Sequence, residues 1–203
     1  MKVAVVKRYS FYVVTILLLG LFVGILGYQL WWGMTRLPVI DRAPDFRLSD
    51  VNNKAVTLHD TDGKIRLVSF FYTSCPDICQ TTNYNLVSLD KKLAEKGLQK
   101  DTNLISISFD SERDTADHLK KYIAAGQFDR PGWLFLRGEK DEINKAVKGF
   151  KIVAEKGSDG YYLHSNKLFL VDGNNNIRSV YKMGSDMDND QILKDIANLQ
   201  KEL

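Results

Sequence analysis

Cysteine is scarce in this chain: 203 residues contain two, Cys75 and Cys79, so all thiol chemistry rests on one pair. Proline is scarce as well, with Pro38, Pro44, Pro76 and Pro131 the complete set. No basic run with interleaved aromatics is present and the net charge is only +3, so no nucleic-acid partner is expected. No internal repeat or low-complexity tract occurs. Between Tyr9 and Thr35 charge itself is missing. What remains is ordinary for a globular protein: 44% apolar and 26% charged residues support one medium domain with a core, plus an attachment.

The attachment is the uncharged stretch. "FYVVTILLLGLFVGILGYQLWW" is almost wholly apolar, and roughly 20 such residues cross a bilayer core as a helix. Tyr9, Phe11 and Tyr12 at one end, and Tyr28, Trp31 and Trp32 at the other, are expected at the two interfaces. A cleaved signal would need a shorter apolar region and small residues at a cleavage site. The far end is bulky instead, and no lipid-accepting Cys follows, which favours an uncleaved anchor. Lys2, Lys7 and Arg8 precede the span, whereas only Arg36 and Arg42 follow closely, the latter beside Asp41. The positive-inside rule then puts the short tail in the cytoplasm and the C-terminal domain on the extracytoplasmic side. That side is oxidising, so a cysteine pair there can exist as a disulfide.

Residues 36–45, "RLPVIDRAPD", carry two prolines and read as a linker. "KIRLVSFFYTS" is a buried-strand pattern that leads into the cysteines. A helix is expected to begin around Asp77 to Cys79 and to stop at Gly97. "NLISISFD", "WLFLRG" and a hairpin in "YYLHSNKLFLVDGNNNIRSVYKMG" supply further strands, the hairpin turning at Asp172-Gly173-Asn174. "SERDTADHLKKYIAAG", closed by Gly126, "EKDEINKAVKGF" and a last segment from about Met187 to Leu203 supply helices. Alternating strand and helix indicate an α/β domain, a mixed sheet flanked by helices. A strand, a cysteine-bearing turn, a helix and a late hairpin suggest a thioredoxin-like layout.

A cysteine at a helix start faces free backbone N–H groups and the positive end of the helix dipole, both of which favour thiolate at Cys79. Pro76 stiffens the turn without needing a donor. Three residues separate the cysteines, one more than in thioredoxin-type reductases. The longer turn can close a disulfide, and it also lets two thiolates converge on one ion. Such a soft pair needs a third ligand for copper(I), commonly imidazole. His59 decorates an early turn, and His118, among charged residues, reads as a solvated surface side chain. His164 stands between aromatics and the strand "KLFLV", on a loop that faces the cysteine turn in a thioredoxin-like topology. Disulfide oxidoreductases carry a cis-proline there, and none of the four prolines can fill that place.

"CPDIC", "FDSERDT" and "YYLHSNKLFLVDGN", in this order behind an N-terminal anchor, resemble the Sco/SenC family of copper chaperones, from about Ala43 onward. The resemblance implies a thioredoxin-like fold, copper as Cu(I) or Cu(II), and service to the CuA site of cytochrome c oxidase subunit II. It also implies Cys75, Cys79 and His164 as ligands. Gln80 and Ser111 replace prolines common in the family, and Leu163 stands where many members carry a polar or acidic residue. Asp77 either starts the helix or offers a carboxylate near the site. Asp110 ends a buried strand, and with Asp77 it is a candidate for supporting the ligands. Asp114 is ambiguous in the same way: its "SERDT" group equally reads as a helix cap with surface charge pairs.

The expected organisation is thus a tail and transmembrane anchor over 1–35, a linker over 36–45 and a thioredoxin-like copper-binding domain over 46–203. The leading function is a membrane-anchored metallochaperone, with copper binding coupled to the redox state of Cys75 and Cys79. The alternative is a dedicated thiol–disulfide reductase that keeps the CuA-site cysteines reduced. A peroxidase would need Thr or Ser and Arg around a peroxidatic Cys, and no clear set is present.

Overall fold

The computed structural model describes residues 2–203, with side chains described for 11–29 and 36–203. It divides into two units, residues 1–36 and 37–203. The first is one helix, α1 (Lys2–Thr35). Its apolar span, Phe11–Gln29, has 19 residues at a mean hydropathy of 2.3. At 1.5 Å per residue that is about 28 Å, close to the thickness of a bilayer core. The expected interface roles of Tyr9, Trp31 and Trp32, and the cations Lys2, Lys7 and Arg8, concern side chains outside the described residues.

The second unit is built on β4 (Ile65–Phe71) and β5 (Thr102–Ser108), whose residues are buried throughout. Strands covered on both faces lose the apolar–polar alternation, which is why "IRLVSFF" reads as a continuous run. β4, β5 and β6 (Trp133–Arg137) are parallel. On one flank β9 (Lys167–Val171), β10 (Asn176–Lys182) and β1 (Asp41–Arg42) add antiparallel; on the other, β2 (Arg47–Asp50) and β3 (Ala55–Thr57) do the same. The order across this eight-stranded sheet is β1-β10-β9-β4-β5-β6-β2-β3. Segment 36–45 contains β1, and Ala43 N–H donates to the Asn175 carbonyl, so it runs along the β10 edge.

The connecting helices are α2 (Ile78–Glu95), α3 (Ala116–Gly126), α4 (Lys140–Gly149) and α5 (Asn189–Gln200). Gly97 ends α2 as expected: its φ of 68° suits a residue without a Cβ, and Leu98 N–H returns to the Leu93 carbonyl. α3 includes Gly126, and the left-handed turn falls one residue later, on Gln127 at φ 56°.

The late hairpin is shorter than the sequence suggests. β9 and β10 form it, but "YYLH" is not its continuation. β8 (Tyr162–His164) pairs instead with β7 (Ala154–Lys156) in a separate two-stranded ribbon, His164 opposite Ala154. β7 carries no apolar run, so nothing local marked it as a strand.

Candidate metal centre

β4 leaves the core at Phe71, and Tyr72 to Asp77 form the turn that feeds α2. Cys75 N–H closes this turn on the Tyr72 carbonyl at 3.3 Å. Cys79 is the second residue of α2 and, like Cys75, is buried and free of any disulfide. His164, at the end of β8, places Nε2 at 4.0 Å from both sulfurs. One donor atom from each of the three lies within 4.8 Å of the others.

The imidazole is oriented for this. Its Nδ1 is 3.1 Å from the Ser165 carbonyl oxygen, which accepts only, so Nδ1 carries the proton. In the neutral ring Nε2 then turns a lone pair toward the sulfurs, the arrangement that makes a histidine a ligand. Aromatic rings hold it: Tyr72 meets His164 edge-on at 5.8 Å and Phe109 lies at 5.3 Å. Tyr162 packs on both Tyr72 and Phe109.

The two thiols are electrostatically unlike. Cys75 is drawn down to about 3, first by a hydrogen bond from the Cys79 thiol, then by His164 and the backbone N–H groups of Asp77 and Cys79. Cys79 moves up, because it donates to Cys75 and is buried. Thiolate is therefore favoured at Cys75, not at Cys79 as the sequence suggests: the Cys79 thiol donates to the earlier sulfur, and the first-turn N–H groups of Asp77 and Cys79 add a smaller contribution there. His164 is raised by its contact with Cys75, against the effect of burial.

The candidate supporting carboxylates lie outside the donor cluster. Asp77 is the N-cap of α2 but its side chain makes no capping bond; it contributes its backbone N–H to Cys75. Asp110 is fully buried and pairs with Arg113. That guanidinium lies over the rings of Tyr72 and Tyr162, at 5.7 and 6.0 Å from their centroids, so Asp110 reaches the site only through it. Asp114 neither caps α3 nor pairs at the surface. It is buried and accepts from Thr73 N–H at 3.1 Å, from Thr73 Oγ1 and from Ser108 Oγ. His118 is exposed, yet it is not merely solvated: its Nε2 lies 2.9 Å from Thr73 Oγ1. His59 pairs with Asp62 at 3.0 Å, as a turn-decorating residue would. Leu163, 72% exposed, alternates away from the site between Tyr162 and His164.

Donors that share an ion with bonds as long as those zinc makes to sulfur and nitrogen lie at most about 4.3 Å apart, and the 4.0 Å separations fall within that. No fourth His, Cys, Asp or Glu joins the group among the described residues. Closed tetrahedral zinc sites use four ligands, whereas two thiolates and one imidazole match a soft ion of low coordination number.

The family model for SCO1/SenC matches residues 38–201. The chain belongs to the SCO1/SenC family. An SCO2-like protein of Rickettsia typhi is 31% identical over 135 residues, 64% of each chain. Arabidopsis thaliana ScoI, solved with copper bound, is 27% identical with a TM-score of 0.68, over 78% of this chain and 98% of that one. BsSco, a Sco-family cytochrome c oxidase assembly protein with an identified disulfide switch, is 26% identical with a TM-score of 0.71, over 81% and 97%. These likenesses establish the thioredoxin-like fold of the Sco proteins for the second unit. Tyr72, Thr73, Phe109 and Tyr162 were not singled out in the sequence. The cue was available in "FYTSC" and "YYLH", where aromatic and hydroxyl residues directly flank the candidate ligands.

Proposed function

We propose that this protein is a membrane-anchored metallochaperone. It carries copper on Cys75, Cys79 and His164 and delivers it to the CuA site of cytochrome c oxidase subunit II. The observation that carries the reading is the convergence of two sulfurs and an imidazole Nε2 within 4.8 Å, in a chain of this family. Copper is the cargo. Cys75, already thiolate, is the first sulfur to offer a lone pair, Cys79 gives up its proton to become the second, and neutral His164 supplies the third. Oxidation of the metal-free pair, Cys75 thiolate and Cys79 thiol, passes two electrons and the one remaining proton to an oxidising partner and leaves a Cys75–Cys79 disulfide, which no longer offers two thiolates. Residues 1–35 serve as cytoplasmic tail and anchor, 36–45 as linker and 46–203 as the copper-binding domain outside the cytoplasm.

The test is copper titration of the reduced full-length chain in detergent, with X-ray absorption of the bound ion. One copper per chain with mixed sulfur and nitrogen ligation is expected. No binding under anaerobic reducing conditions, or no sulfur ligation, would sink the reading.

A second reading is favoured by the asymmetry of the thiols. An ionised Cys75 beside a protonated, buried Cys79 is also the pattern of a disulfide reductase, one sulfur attacking and the other resolving. In that reading the substrate is the oxidised cysteine pair of the CuA apo-site.

A further inference from the structure

The donor cluster is assembled from two elements that do not share a sheet, the β4–α2 turn and the β7–β8 ribbon. Something must fix their separation. The two residues directly after β4 make the contacts that do so. Tyr72, 2% exposed, accepts Tyr162 N–H on its hydroxyl at 3.3 Å, while its ring meets His164 and its carbonyl accepts Cys75 N–H. One residue thus touches both the turn and the imidazole strand. Thr73 makes the opposite attachment. Its single hydroxyl proton goes to Asp114 Oδ1 at 2.5 Å, so His118 Nε2 at 2.9 Å must be the donor to its oxygen. Asp114 in turn is anchored by Ser108 at the end of β5.

We propose that Tyr72 and Thr73 are positioning residues for the metal centre: Tyr72 sets the distance between the sulfur pair and His164, and Thr73 locks the turn onto Asp114 and His118. The inference rests on the copper-binding reading for its metal-dependent part only. Neither residue donates to the ion. Both act by removing alternative placements of the three donors, and outer partners of this kind typically change metal affinity by about 10–100-fold when lost.

The test uses the full chain in detergent with three substitutions, Tyr72→Phe, Thr73→Val and Thr73→Ser. The first two preserve the shape of the side chain and remove the hydroxyl, and the last keeps the hydroxyl while removing the methyl group. Three quantities are measured: Cu(I) retention against a competing chelator, the copper-free equilibrium of the Cys75–Cys79 disulfide with glutathione, and the urea midpoint of the reduced, copper-free protein. Tyr72→Phe and Thr73→Val should lose copper retention about tenfold. They should also shift the disulfide equilibrium severalfold, with the urea midpoint of Tyr72→Phe near the parent, that of Thr73→Val lowered because buried Asp114 loses a donor, and Thr73→Ser close to the parent in all three measurements. Unchanged retention and equilibrium would overturn the proposal, as would losses that simply track the urea midpoint. If the parent chain binds no copper, the proposed function fails, while the glutathione equilibrium still decides the positioning role.

Discussion

Cys75 and Cys79 differ in what they exchange: Cys75 accepts from the Cys79 thiol and, lying before the helix, also from first-turn N–H groups, whereas Cys79 is the donor and is buried within the helix. Cys75 held at about 3 is a thiolate throughout the neutral range, whereas an ordinary thiol near 9 is almost wholly protonated there. Alkylation of the reduced, metal-free protein should therefore modify Cys75 at a rate nearly independent of pH between about 5 and 8, with Cys79 unreactive. Peptide mapping of the alkylated chain checks it, and a rate that climbs tenfold per pH unit over that window would refute it. The same shift links folding to pH. The Cys75 pKa is depressed in the folded state, so its contribution is complete above the unfolded value near 9 and is lost as pH falls toward 3. His164 acts oppositely: its raised pKa stabilises the fold below its unfolded value of 6.5, and this is lost as pH rises through the folded pKa. Replacing Cys75 by Ser should thus flatten the rise of thermal stability with pH on the acid side, and it should also diminish the His164 contribution, because contact with Cys75 is the main cause that raises that imidazole.

At the scale of elements, the turn after β10 supports the start of α2 from outside the cysteine loop. Gly184 sits at φ 73°, and a Cβ added there would stand 2.7 Å from Ile78 Cγ1, the first residue of α2. Its N–H and carbonyl are also taken, by Thr82 Oγ1 and Asn85 Nδ2. Gly184→Ala should cost about 1–3 kcal/mol through backbone strain, and the clash should displace Ile78 and loosen the cysteine turn. Urea denaturation measures the first effect; a cost under about 0.5 kcal/mol, the ordinary range for surface substitutions, would show that the segment simply moves aside. What the sequence revealed follows the same division between local and distant causes. β4, β5 and α2 were legible because burial on both faces, helical spacing of Leu86, Leu89 and Leu93, and Gly97 all write themselves into consecutive residues. β2, β3, β7 and β8 were not: they are three or four residues long, partly exposed, and exist because a neighbouring strand pairs with them. His164 was legible as a partner of the cysteines from its place before β9, but the ribbon that carries it was not. The Asp114–Thr73–His118 contact was hidden for a similar reason, since it joins residues 41 and 45 positions apart.

For the whole molecule, the anchor and the metal centre make separable predictions. A reporter fused after Leu203 should be active only outside the cytoplasm if the charge bias around α1 sets its orientation, and cytoplasmic activity would reverse the proposed topology. Cargo delivery and thiol reduction then part at His164. His164→Ala removes the imidazole but leaves Cys75 and Cys79 able to form and break a disulfide. Because the hydrogen bond from Cys79 is the largest influence holding Cys75 down, its thiolate should persist without His164, so thiol exchange should survive. A copper carrier reduced from three donors to two should retain its ion at least tenfold less well. Under the chaperone reading, cells with this variant should fail to assemble active cytochrome c oxidase at limiting copper and should recover in part when copper is added. Under the reductase reading, assembly should proceed at limiting copper, since the sulfurs do the chemistry. Cys75→Ser and Cys79→Ser disable both activities and cannot separate them. Oxidase activity in His164→Ala cells, measured across a copper series, therefore decides the matter: parental activity at the lowest copper would overturn delivery and leave the disulfide as the working form of the site.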